Sequence, residues 1–217
     1  MNNNTNKILH KITPEIKKDM ESIWFTADLH HGHPKIINIH NRPVFLTPAQ
    51  LLDIPKDQQN IENEVYKYLI SEAHDEWIIN EVINKYVKRK DTLFLLGDVS
   101  MANRIKAEKF LDRLNGNKFL IIGNHDKNIQ NSTRFKQTIL RKNFNYSKFG
   151  LNIHIVLDHF PLASWDRRGF GSWHLYGHVH GKFQNEGLSF DIGIDAKRRH
   201  RPLNLFEIIT LMELKMN

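Results

Sequence analysis

Five short apolar runs, each stopped by a polar cluster able to do chemistry, constrain this chain more than any other feature. Ile23 to Ala27 runs into Asp28-Leu29-His30, and Thr92 to Leu96 runs into Gly97-Asp98. Lys118 to Ile122 ends at Gly123-Asn124-His125-Asp126. Asn152 to Leu157 ends at Asp158-His159, and Trp173 to Tyr176 at Gly177-His178-Val179-His180. Near-continuous apolar runs of this length read as strands buried on both faces. Reactive groups at the carboxyl ends of such strands are where open α/β sheets place their sites.

Helical patterns fill the spaces between the runs. Apolar residues from Ile61 to Lys88 recur at a spacing that suits one or two amphipathic helices. Ala107 to Leu114 reads as another, with Gly116 as its stop signal, and Ser132 to Leu140 as a third. Strands alternating with helices predict a layered α/β domain. Pro43, Pro48 and Pro55 mark residues 43 to 60 as a surface loop, and the longer segment 43–75 could form a partial lid. The expected organisation is an N-terminal extension over 1–20 and a single domain over 21–217.

Composition narrows the chemistry. The 217 residues contain no cysteine, so disulfides and thiolate–metal sites are excluded. Any metal must be held by imidazole nitrogen and by carboxylate or amide oxygen, and the 13 histidines supply the first. The formal net charge of +7 favours an anionic partner. The polar start carries no signal-peptide pattern, and no apolar run approaches the ~20 residues that span a bilayer, so a cytoplasmic location away from membranes is expected.

The strand ends deliver Asp28, His30, Asp98, Asn124, His125, Asp126, His159, His178 and His180. Alternation along an extended chain puts Asp28 with His30, and His178 with His180, on one side, leaving Leu29 and Val179 to face the other way. Taken singly, Asp28 could be a helix cap, and His178 and His180 ordinary polar strand positions. Together the blocks DLH, GD, GNHD, the His159 before Phe-Pro, and GHVH resemble the calcineurin-like metallophosphoesterases. The flanking strings DLHHGH (28–33), Asn41-Arg42-Pro43, DHFP (158–161) and DIGID (191–195) resemble a small bacterial and phage branch of that family.

The resemblance implies two facing mixed β-sheets flanked by helices, with a dinuclear metal site at the strand ends. Asp28, His30 and His180 would hold one metal, and Asn124, His159 and His178 the other, with Asp98 bridging both. It implies attack on a phosphomonoester or phosphodiester by a metal-bridging hydroxide, the cations being about 3.5–4 Å apart in such sites. His125 would act as acid or phosphate donor, and Asp126 would accept from its imidazole and fix the tautomer. The implied cofactors are two divalent ions, manganese first, with Fe, Zn, Ni or Mg also compatible with the ligand set.

Nucleotides, cyclic nucleotides and nucleic acids are the substrates within reach of that reading. His31, His33, Arg42 and Arg167 are candidate substrate contacts. His33 could equally bond the following turn, Arg42 serve a structural ion pair, and Arg167 and Arg168 simply be solvated. Two rival readings come from other classes. One is a non-catalytic metal-containing scaffold. The other is a nucleic-acid-binding module using the basic run Lys197 to Arg201, whose binding would depend steeply on salt.

Overall fold

The computed structural model describes residues 8–216. Its first sheet is built on β1 (Ile23–Thr26), β2 (Thr92–Leu96), β3 (Asn117–Ile121) and β4 (Gln137–Ile139), all parallel, closed on one side by the antiparallel β9 (Leu203–Asn204). The order across it is β4-β3-β2-β1-β9. The second sheet runs β5-β6-β7-β8, from β5 (Arg141–Tyr146), β6 (Ile153–Asp158), β7 (Trp173–Tyr176) and β8 (Ser189–Asp191). Here β5 is antiparallel to β6, and the other pairs are parallel. The expectation of two facing mixed sheets with helices outside is therefore met.

The apolar runs form strands because both of their faces find a core. In β2, Phe94 and Leu96 join Phe25, Ile155, Leu157 and Leu175 between the two sheets. Leu93 and Leu95 point the other way, onto α4 (Glu64–Trp77), the π-helical turn Ile78–Ile83 that continues it, and α5 (Arg104–Arg113). At roughly 25 cal/mol per Å² of apolar surface removed from water, this double burial is the main force that holds the strands. Asn63 and Asn103 cap α4 and α5, each accepting a main-chain N–H three residues on.

Three local expectations need correction. Ser132 to Leu140 is not a helix; its end forms β4, where Thr138 and Ile139 pair with Leu120 and Ile121. The apolar pair Phe135 and Ile139, four apart, imitates a helical stripe, but β-branched residues beside an open sheet edge extend it instead. Residues 43–60 are not simply a loop. They include α3 (Pro48–Leu51), closed by a Thr47/Gln50 capping box, and a 3-10 turn at Lys56–Gln58. Val44 and Leu46 sink into a satellite core with Ile37, from α2 (Lys35–His40), and Ile70 of α4. Finally, Asp28, His30, His178 and His180 do not lie in extended chain. All four have positive φ, between 50° and 70°, just past the ends of β1 and β7.

Of the first twenty residues, those from Pro14 to Met20 form α1, and Ile16 and Met20 enter the inter-sheet core beside Ile208 and Met212 of α6 (Leu205–Met216). Among the described residues no helix is long and apolar enough to cross a membrane.

Candidate metal centre

The parallel strands of both sheets end along one edge, and the loops leaving them converge there. Asp28 follows β1, Asp98 follows β2, the Gly123–Asp126 turn follows β3, His159 follows β6 and His178 follows β7. Two triads of ligand atoms result, each drawn together within 4.8 Å: Asp28 with His30 and His180, and Asp98 with His159 and His178.

Asp98 stands between the triads. Its Oδ2 lies 3.8 Å from His30 Nε2 and its Oδ1 3.5 Å from His159 Nε2. Asn124 completes the second group, with Oδ1 3.1 Å from His159 Nε2. His125 leans over the cluster from the solvent side. Its side chain is 42% exposed, and its Nε2 sits 3.9 Å from Asp98 Oδ2. His33 flanks the same opening, its ring 5.8 Å from that of His30. The Nδ1 of His33 is buried without a hydrogen-bond partner.

The outer nitrogens fix how the inner ones face. His159 Nδ1 donates to Leu96 O at 2.8 Å, and His180 Nδ1 donates to Asp195 Oδ2 at 2.7 Å. In both rings Nε2 then faces into the cluster, the orientation that metal-binding histidines take. His180 Nε2 meets His30 Nε2 at 3.3 Å, and His159 Nε2 meets the Asn124 carbonyl oxygen. Two acceptors at such a distance need a proton or a cation between them. The donor set, imidazole with carboxylate and amide oxygen, suits a first-row divalent ion.

Burial and mutual charge set the protonation of this cluster. Burial raises the Asp28 carboxyl to about 7, against the pull of His180 and His159. Burial and the neighbouring His180 push His30 down to about 2. Burial also works against charge on His159 and Asp98, but their mutual contact outweighs it. The imidazole rises to about 9, and the carboxyl falls to about 2.

Glycines let the chain pack this tightly. A methyl group on Gly193 would stand 2.5 Å from Asp28 Oδ2, and one on Gly123 would stand 2.5 Å from Asp98 Oδ1. Both carboxylates therefore rest directly against main chain, held at a depth that any side chain there would deny.

Several expected contacts fall elsewhere. Asp126 does not serve the His125 imidazole. Its Oδ2 accepts the amides of Asp98 and Gly123 and its Oδ1 that of Val99, at 2.8–2.9 Å. It thereby fastens the turn after β2 to the turn after β3. Arg42 is not free to bind phosphate. The left-handed Asn41 that ends α2 turns the chain inward, and all five guanidinium N–H groups find acceptors. These are both oxygens of Asp195, the carbonyls of Asp28 and Leu29, and His74 Nε2.

His31 is buried against Phe110, its Nδ1 bonded to Ser100 Oγ at 2.7 Å. Arg167 lies beside His154, near the start of β6, whereas His159 follows its end. That separation is roughly 16 Å along the strand. Arg168 instead covers Trp165. The basic run 197–201 is no flat surface either, since Arg199 turns inward to Asp191 O and Arg201 pairs with Glu207.

Sequence reasoning overlooked Asp195, His74 and His40. Asp195 joins His180 to Arg42, and His40 stacks on the His180 ring at 4.1 Å. The DIGID string was a visible signal for Asp195. His40 directly precedes the Asn41-Arg42-Pro43 string but is not part of it, and His74 sits on α4 away from every motif.

Comparison with known proteins agrees with this architecture. The chain is 28% identical over 203 residues to an uncharacterized protein of Methanocaldococcus jannaschii, covering 89% of this chain and 93% of that one. It is 23% identical over 194 residues to the gene 66 protein of Mycobacterium phage L5, covering 74% and 78%. Among solved structures, a protein of unknown function from Aquifex aeolicus superposes with a TM-score of 0.55 at 21% identity, covering 87% of this chain and 98% of that one, and shares the fold. The model of the calcineurin-like phosphoesterases matches residues 21–208, and the chain belongs to that family.

Proposed function

We propose that the protein is a dinuclear-metal hydrolase of phosphate esters. The observation that carries this reading is the pair of ligand triads meeting at Asp98, with imidazole Nε2 atoms turned inward on both sides of it. Asp28, His30 and His180 would hold one cation, and Asn124, His159 and His178 the other, with Asp98 shared. Two divalent ions bound there would polarise the ester and supply an acidified water as nucleophile.

The chain's own groups do the remaining work. Leu96 O and Asp195 keep His159 and His180 in the tautomer that presents Nε2. Asp126 locks together the two turns that carry Asp98 and Asn124. His125, exposed over the cluster, is placed to give a proton or a hydrogen bond to the leaving oxygen. Positioned acid catalysis of that kind contributes about 10²–10⁴-fold. His33 lines the same opening and offers a second contact to the phosphate. The substrate is a phosphomonoester or phosphodiester, and manganese is the first ion to try.

The test is hydrolysis of a nitrophenyl phosphate monoester and of the corresponding bis-ester. Metal-stripped protein would be compared with Mn²⁺-reloaded protein, with His125→Ala and Asp98→Ala alongside. Turnover restored by metal and lost in both variants is expected. Absence of turnover with any divalent ion, in folded protein that binds two ions, would refute generic phosphoesterase activity.

A further inference from the structure

On the far side of His180 and Asp195 lies a second concentration of charge that the metal cluster does not use. Lys197 and Arg199, from the turn after Asp195, and Lys215, from α6, gather around one ring, that of Phe190. Their cationic groups lie 5.6, 5.0 and 5.9 Å from its centroid. All three line one cavity of ≈ 60 Å³. A water takes about 10–15 Å³ on that scale, so the space admits a tetrahedral oxyanion.

The local anionic charge falls short of three cations. Asp191 is the one carboxylate among the described residues lining the cavity, and its oxygens already accept the amides of Gly181 and Gly193. Lys215 donates to the carbonyls of Gly187 and Ser189. Arg199 reaches the carbonyls of Asp191 and Gly193, and its buried Nε–H has no acceptor. Carbonyl dipoles hold these groups in place without neutralising them. An oxyanion in the cavity would supply the negative charge that the carbonyls do not.

We propose that this cavity is a binding site for a phosphate-sized oxyanion, distinct from the metal cluster and sharing a wall with it. Gly181 follows His180 and Ala196 follows Asp195, so an occupant sits one residue from the pair that orients the first triad. The recognised chemistry is a dianionic tetrahedral group, either free phosphate or a second phosphate on a larger substrate.

Equilibrium dialysis of radiolabelled inorganic phosphate tests the proposal. Metal-loaded protein should bind phosphate at both places. Asp98→Ala, which disables the cluster, should retain one phosphate per chain. Adding Lys197→Glu to that variant should weaken the remaining binding by about tenfold or more, and Lys197→Met by less. Lys90→Glu, an equal charge change in a distant exposed turn, should leave it unchanged.

No residual binding in Asp98→Ala, or equal weakening by Lys90→Glu, would overturn the site. Stronger displacement of the label by a nucleoside 3′,5′-bisphosphate than by a 5′-monophosphate identifies a substrate-borne group, and equal displacement identifies free phosphate; either ranking supports the site. Because no turnover is read, failure here leaves hydrolysis at the metal cluster untouched, and failure of hydrolysis leaves this site standing.

Discussion

Replacing Arg42 with methionine should unfold this protein more readily, with loss of substrate affinity only as a consequence. The guanidinium is fully buried against Asp195, with side-chain exposures of 0% and 2%, and spends every donor on five acceptors. Methionine fills much of the volume but strands the Asp195 carboxylate and leaves two carbonyls without their partner. Removing one member of a buried pair typically costs about 3–5 kcal/mol. For a chain of this length each kcal/mol moves Tm by about 2–4 °C, so the fall should be roughly 6–20 °C. Lysine has three donors at most and should land between the two. Thermal unfolding followed by circular dichroism reads the effect directly, and urea midpoints check it. The Asp195 carboxylate that orients His180 loses its other support, so metal affinity should fall as well. If Arg42 instead bound substrate phosphate, the variant would raise KM and keep its stability. A Tm within about 2 °C of the parent would refute the buried reading.

Other perturbations separate neighbouring roles. Asp126→Asn should cost stability, since hydrogen bonds to a charged group contribute about 1.5–3 kcal/mol each and an amide meets only part of the three-amide set. Unchanged urea unfolding with a collapsed kcat would return Asp126 to the imidazole. Gly193→Ala has no φ penalty to confuse it, so its added methyl should act by displacing Asp28. Metal analysis should find the first site depleted while the fold persists. His178→Gly should be more stable than His178→Ala by about 1 kcal/mol in metal-free protein, because φ at this position is 70°. Equal stabilities would mean that the position carries no strain. Burial works to raise the Asp195 carboxyl, but His180 and Arg42 outweigh it and hold it far below the usual range. A depressed acid contributes stability above its unfolded value, near 4, and loses it as pH falls below that. Urea midpoints should therefore drop more steeply from pH 5 to pH 2 in the parent than in Asp195→Asn; parallel curves would contradict this.

The strands and the residues at their ends were legible because each run had to be buried on two faces and could stop only where polarity began. Phe94 and Leu95 needed opposite cores, and the sequence around them left no other element to form. What was not legible depended on contacts distant in sequence. Nothing near Arg42 says that its acceptors lie at Asp28, His74 and Asp195, so a buried brace and a phosphate contact looked alike. Asp126 follows His125 directly, which suggested an interaction between neighbours. The turn after β3 instead sends the carboxylate back to the amides of Asp98 and Val99. Thr138 and Ile139 were misread because the open edge of β3 that captures them appears only once the sheet is assembled.

The geometry of the ligands shows what the strand ends supply beyond residue type. Residues two apart in extended chain stand about 6.6 Å apart. Asp28, His30, Asp98, His178 and His180 instead adopt φ of 60°, 53°, 52°, 70° and 50°. The chain curls as it leaves each strand, and ligand atoms from three separate turns come within 4.8 Å. Non-glycine residues in this region cost about 1–3 kcal/mol each, so the five together rival the net stability of an ordinary domain, about 5–15 kcal/mol. The strain persists because other interactions over-determine it. The amides of Asp28 and His30 are tied to the carbonyls of Gly97 and Asp98, that of Asp98 to Asp126, and that of His178 to Asp28, with buried strands behind them. Four of the five strained residues are thus held at the main chain by another strand end along the edge, and the cluster forms only when both sheets have closed around their shared core. Binding a cation to such a preformed site needs little further ordering. The energy of ligation is then left to offset strain that folding has already stored.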